Sequence, residues 1–284
     1  RLPVLAIARQ ANAIALGHPG LLVRAAAIPF LLSLAVAAAT LTVPGLPMAS
    51  VLLAIAGLAP YAIFGVAWSR LSLLGPMAGR PPLLPSWQRR HWRYFGYLVA
   101  LAIIAFGLVV PTLFMGAVRA IMAAGSTSSA ATIVAFFLGE LAAVVGVAYV
   151  TARLSFVFPA AAADEIYTWR HAWVHTRGQG MRLLATIVMS MAPAVAVLWA
   201  VAAVSGIFAF PEIDPAAVPE GASPEQTIKD YLAENAGQLA MAQIALTAMT
   251  YLVMGVAMSA IALAFRIGTG WVPAAAAAPP RAPE

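Results

Sequence analysis

Six stretches of the chain, 25–43, 46–68, 94–118, 131–152, 183–208 and 238–265, are each long and apolar enough to cross a bilayer. About 20 mostly apolar residues suffice, because a helix rises about 1.5 Å per residue through a hydrocarbon core roughly 30 Å thick. Composition agrees: of 284 residues, 63% are hydrophobic and 9% charged, against roughly 25% charged in a soluble domain. No water-soluble packing can hide that surface. The expected fold is all-α, a polytopic transmembrane helical bundle forming a single integral membrane domain over residues 1–284.

Charge sets the orientation. Arg1, Arg9 and Arg24 precede the first span, and Arg70, Arg80, Arg89, Arg90 and Arg93 lie in the loop 69–93. Arg153, Arg170, Arg177 and Arg182 lie in the loop 153–182, and Arg266 and Arg281 in the tail. Only Arg119 and Lys229 fall on the other side. By the positive-inside rule the first side is cytoplasmic, with both termini inside, as six spans require. The expected location is a bacterial inner membrane, and the net charge of +6 reflects topology, not nucleic-acid binding. The segment 211–237 carries Glu212, Asp214, Glu220, Glu225, Asp230 and Glu234 against Lys229. It is expected to be an acidic extracytoplasmic insertion, with a helix over 224–235 opened by Ser223-Pro224-Glu225-Gln226. Residues 274–284 are expected to be a flexible cytoplasmic tail.

The stretch 2–16 is too short to span and is interrupted by Arg9, Gln10 and Asn12. It reads as an interfacial helix ended by Gly17-His18-Pro19-Gly20, with a retained signal peptide as the competing reading. A chain opening on Arg1 is expected to follow a removed or omitted segment.

A motif recurs at the ends of the even-numbered spans. Arg70-Leu71-Ser72 with Pro76 follows the second span, and Arg153-Leu154-Ser155 with Pro159 follows the fourth. A looser version, Arg266-Ile267-Gly268 with Pro273, follows the sixth. With interfacial segments at 2–16, 86–93 and 164–177, the chain reads as three parallel hairpin repeats over about 1–80, 81–163 and 164–273. Chance recurrence at membrane exits, where Arg and Pro are common, is the alternative.

Glu140 is the only acidic residue inside any span. An ionised group there costs about 2.5–3.5 kcal/mol on insertion scales, so it is expected to face the bundle. It reads either as a proton, cation or headgroup site or as a hydrogen-bonded pin, with Tyr251, Tyr61 or Thr250 as partners by depth. Trp87, Arg89, Arg90, Trp92 and Arg93 have the makeup of an anionic-lipid headgroup site, or of an ordinary basic anchor with an aromatic belt. The segment 164–178 reads as a surface helix with Asp164 as N-cap and Gly178 as its stop. Its His171 and His175 are four apart but lack the HExxH acid, so an interfacial helix with solvated histidines is expected there.

Catalytic signatures are missing: there is no GxSxG elbow, Walker A loop, GxGxxG fingerprint or zincin motif. There is no cysteine, and no Asp lies in any span. His18, His91, His171 and His175 all sit outside the spans, which argues against haem in the bundle core. No cofactor, metal or catalytic residue is expected.

One resemblance rests on short motifs: His18-Pro19-Gly20-Leu21-Leu22 leading into Ala27-Ile28-Pro29-Phe30-Leu31, and Arg153-Leu154-Ser155-Phe156-Val157-Phe158-Pro159-Ala160 leading to Ala172-Trp173-Val174-His175-Thr176-Arg177-Gly178. Over most of its length the chain resembles uncharacterised bacterial six-span proteins similar to the membrane domain of some glycerophosphodiester phosphodiesterases. In those enzymes the chemistry resides in a separate soluble barrel. The resemblance therefore implies a membrane scaffold or lipid-facing domain and carries over no catalytic residue. The expected function is non-catalytic: a scaffold or accessory subunit contacting membrane lipids or other membrane subunits. The alternative is a transporter or channel using Glu140.

Overall fold

The computed structural model describes residues 2–42, 47–75, 81, 86–124, 130–205, 231 and 233–273, without the side chains of 41–42, 47, 108–109, 111–124, 130–137 and 204–205. Among the described residues the fold is all-helical. The chain runs α1 (Val4–Gly17), α2 (Pro19–Thr42), α3 (Pro47–Ala56), α4 (Leu58–Leu74) and α5 (Arg89–Ala124). It continues through α6 (Ala130–Leu154), α7 (Val157–Ala162), α8 (Trp169–His175), α9 (Gly180–Ser205) and α10 (Ala236–Thr269).

Five segments are long and apolar enough to cross a membrane: Pro19–Thr40, Met48–Leu74, Leu138–Ala162, Gly180–Ala203 and Ala236–Thr269. The expected span 94–118 falls within α5, and part of it lies outside the described side chains. Pro76, most of the acidic segment 211–237, nearly all of the expected helix 224–235, and the tail 274–284 lie outside the described residues.

Helix α10 packs against α1, α2, α4 and α9, and α4 packs in turn against α2, α5 and α7. The tight packing is concentrated at one end. Trp68, Phe64, Tyr94, Phe156, Val157, Val256 and Phe265 are fully buried there, together with Ile7 and Ala11 of α1. Away from that end large side chains are bare, with Phe106 71% and Trp199 70% exposed. An apolar surface of that kind suits lipid, where burial between helices brings little hydrophobic gain and close packing must hold them together. Gly65 illustrates such packing, because a Cβ there would lie 2.3 Å from the Tyr94 hydroxyl oxygen. The polar side chains of Trp68, Ser72 and Ser259 are satisfied in place. The Trp68 indole N–H donates to Gly255 O (2.7 Å) and to Ser259 Oγ (2.9 Å), and Ser72 Oγ lies 3.1 Å from Ser259 Oγ.

Two sequence expectations need correction. The segment 86–93 is no separate interfacial helix, since α5 starts at Arg89 and runs unbroken past Tyr94. No Pro lies between Arg89 and Val110 to end it, and extending a helix costs far less than nucleating a new one. Asp164 is likewise not a helix N-cap. It sits at φ 63, with Asp164 N–H donating to Ala161 O and Glu165 N–H to Ala160 O. That pair of bonds is a Schellman closure of α7, with Asp164 in the left-handed position usually held by Gly. The true N-cap downstream is Thr168, which opens the short α8.

Candidate functional site

Helix α7 is six residues long, and all six are buried. Its tail presents carbonyls with no partner inside the helix, which attract cations. Arg70, at the end of α4, donates from Nη1 to Ala162 O at 3.0 Å. The same nitrogen lies 3.7 Å from Asp164 Oδ2, and Arg90 Nη1 donates to that oxygen at 2.9 Å. The left-handed turn thus carries one carboxylate to two guanidiniums from different helices. An Asp in that conformation costs on the order of 1 kcal/mol more than a Gly, so the charge is retained against a local conformational cost.

Beside this triad lies a cavity of about 130 Å³. Its lining combines Arg24, Arg70, Arg90 and His91 with Ala25, Pro29, Ile63 and Val66. Arg90 is fully engaged, with Nε and Nη2 both donating to Gln88 Oε1. Arg24 is not: its Nε donates to Pro81 O at 2.7 Å, and its two terminal nitrogens have no partner among the described residues.

His91 is buried and closes the start of α5. The Gln88 N–H donates to His91 Nδ1 at 3.0 Å, and the His91 N–H donates back to Gln88 O at 2.9 Å. With Nδ1 accepting, the neutral ring carries its proton on Nε2. Burial, and next the Arg90 charge, push the His91 pKa below its usual value, against the weaker raising effects of the Gln88 contact and Asp164. Thr168 and His171 repeat the device at α8: the Thr168 N–H donates to His171 Nδ1 at 3.3 Å and His171 N–H to Thr168 Oγ1 at 3.4 Å. In both, histidine takes the third helical position that Glu or Gln holds in the usual capping box.

The expected headgroup residues divide. Trp87 and Trp92 are exposed and meet edge to face at 5.2 Å, with Trp87 stacked on His91 at 5.6 Å. Arg89 is exposed and Arg93 half-buried beside them, while Arg90 turns inward to Asp164. The second motif copy is built differently from the first. Arg153 is 7% exposed, donates from Nε to Thr176 Oγ1 and from Nη2 to Trp173 O, and has its guanidinium carbon 3.6 Å from the Trp173 ring centroid. Ser155 bonds back to Ala152 O, and Pro159 is buried in α7.

The intramembrane residues do not assemble as expected. Tyr61 and Tyr251 stack at 5.5 Å, but the Tyr251 hydroxyl pairs with Ser33 Oγ at 2.8 Å and Thr250 bonds Leu246 O in its own helix. Glu140 is half-buried and has no hydrogen bond or ion pair with a described residue. The reason is placement: α6 packs on α5, α8 and α9, whereas Tyr251 on α10 meets α2 and α4. No cluster of three or more His, Asp or Glu suited to a metal ion occurs among the described residues. Arg24 and Asp164 escaped the sequence reading as site residues. The available signal was that Arg24 is the last charge before the first span, at the membrane depth where Arg70 leaves the second.

Comparison with family models, curated proteins and solved structures returned no match.

Proposed function

We propose that the chain is a non-catalytic membrane scaffold or accessory subunit of a bacterial inner membrane. It crosses six times as three hairpins, keeps both termini in the cytoplasm and engages anionic phospholipid headgroups along its cytoplasmic rim. The observation that carries this reading is the start of α5. There Trp87 and Trp92 lie exposed against one another next to exposed Arg89. Amphipathic rings beside weakly hydrated guanidiniums are suited to the headgroup layer of an anionic leaflet, where each cation contributes about 1 kcal/mol. The six-span reading draws on the helical course of α5 and on the packing of α5 with α6, of α2 with α4, and of α9 with α10. A second reading, a transporter or channel using Glu140, draws on the lack of a described partner for that carboxyl.

The test is lipid retention. Purified in mild detergent from membranes of known composition, the wild type is expected to carry phosphatidylglycerol in excess over zwitterionic lipid, measured by mass spectrometry of the extract. The double variant Arg89→Gln with Arg93→Gln is expected to lose about two thirds of that excess. Equal retention by both proteins removes the rim from the account.

A further inference from the structure

We propose that the cavity beside Arg24, Arg70 and His91 is a binding site for a single phosphate group, carried on a lipid or free in solution. The inference rests on the membrane reading above only in placing the cavity at the headgroup level; its residues are distinct from Arg89 and Arg93.

Three features converge on this chemistry. Charge is the first. Arg24, Arg70 and Arg90 all line the cavity, while Asp164, the single acid paired with them, is not among the lining residues. Three cations against one carboxylate leave an excess of two positive charges, which matches a phosphate monoester or exceeds a diester by one.

The second feature is the supply of free donors. Arg90 spends its three nitrogens on Gln88 and Asp164 and contributes charge alone. Arg24 keeps both terminal nitrogens, and Arg70 keeps Nε and Nη2, without partners among the described residues. His91 adds Nε2–H, because its Nδ1 accepts from Gln88. These donors come from α2, α4 and α5. A planar carboxylate is satisfied by one guanidinium fork, whereas a tetrahedral anion with several acceptor oxygens uses donors from several directions.

Size and setting are the third. A volume of about 130 Å³ is several times what a single water needs, room for one phosphate group. Ala25, Pro29, Ile63 and Val66 line the same cavity as the arginines, so an amphiphile can present its phosphate to the arginines and its glycerol carbons to the helices.

The experiment uses the full chain in a zwitterionic detergent and reads binding of two probes. Inorganic phosphate is titrated calorimetrically, and phosphatidylglycerol retention is measured in nanodiscs containing it in a phosphatidylcholine background. Arg24→Gln is the principal variant, since Arg24 makes one hydrogen bond among the described residues and its loss is expected to leave the fold intact. Arg70→Gln also removes the cap of α7 and is read only where its melting curve matches wild type. Arg24→Gln is expected to weaken binding about tenfold, while Arg89→Gln with Arg93→Gln leaves the cavity affinity unchanged. Loss of both probes assigns a general phosphate site, and loss of phosphatidylglycerol alone assigns a lipid site. Failure of wild type to bind either probe, or equal binding by Arg24→Gln, overturns the proposal. A defect at Arg89 and Arg93 without one at Arg24 leaves the rim reading standing and this one fallen; the reverse does the opposite.

Discussion

The same tripeptide, Arg-Leu-Ser, ends α4 and α6, and the two copies are put to opposite uses. Arg153 is closed over: neutral oxygens take its Nε and Nη2 donors and the Trp173 ring covers its face, with no acid in contact among the described residues. Arg70 is left partly open, sharing Asp164 with Arg90 on one side and bordering a cavity on the other. Both arginines bond a carbonyl near the end of a short helix, α8 for Arg153 and α7 for Arg70. The shared element is therefore capping, and the difference is what surrounds the guanidinium. A buried cation satisfied by dipoles and a π face acts as a fixed staple. One held among other cations keeps attraction to spare for an anion.

If that contrast is right, truncation should separate the copies sharply. Arg153→Ala removes charged hydrogen bonds of about 1.5–3 kcal/mol and a desolvated cation–π contact of up to about 2 kcal/mol. A loss of about 3 kcal/mol is expected, read as a lowered midpoint of unfolding in mixed detergent and dodecyl sulfate. Arg70→Ala, with its side chain 30% exposed and its ion pair screened by water, should cost about 1 kcal/mol. Equal costs would dissolve the distinction between staple and open site.

A smaller effect tests how tightly the staple is held. A Cβ at Gly180 would meet Tyr149 Cε2 at 2.6 Å and the Arg153 side chain at 3.0 Å. These are side-chain atoms that can shift only by disturbing the Arg153 contacts, so Gly180→Ala should destabilise by about 1–2 kcal/mol. Gly75, beside the open copy, has nothing within 4 Å of a built Cβ, though its φ of +57 strains any substitution there. Gly180→Ala combined with Arg153→Ala should cost less than the sum of the two, because one of the two obstructing side chains is gone.

Sequence alone yielded the helical class and the apolar segments, because hydropathy over 20 residues is a local property and five of the runs reappear as membrane-length helices. It also singled out Arg70, Arg153 and the Trp87–Arg93 cluster. What it missed was pairing at a distance. Asp164 reads locally as a helix start, but a buried six-residue helix before it makes it a left-handed stop whose carboxylate reaches residues 74 and 94 positions earlier. Tyr251 was grouped with Glu140 by depth, yet depth does not say which helix lies next door, and the neighbour proved to be α2 with Ser33. The short helix α7 was equally hidden, because residues 153–182 read as a single loop after the fourth span.

The smallest expected effect concerns pH and belongs to the open copy alone. His91 faces Gln88 and Arg90 on its own segment, Arg70 on α4 and Asp164 after α7, and its pKa is lowered chiefly by burial and next by Arg90. A histidine whose folded pKa lies below its unfolded value of about 6.5 leaves the unfolded chain binding more protons in acid. Its stabilising contribution is therefore complete above about pH 6.5 and is lost as pH falls from there through the folded pKa. Melting in a neutral detergent should show stability declining below pH 6.5. His91→Gln isolates the effect, because an amide oxygen at the third helical position can still accept from the Gln88 N–H but does not titrate. The variant should match wild type near pH 8 and lose less stability between pH 6.5 and 5. Arg153 has no histidine or carboxylate among its described partners, so Arg153→Ala should lower the whole curve without changing that slope. A pH slope that persists in His91→Gln would mean that the imidazole is solvated at the cavity, and would withdraw its Nε2–H from the donors offered to an anion.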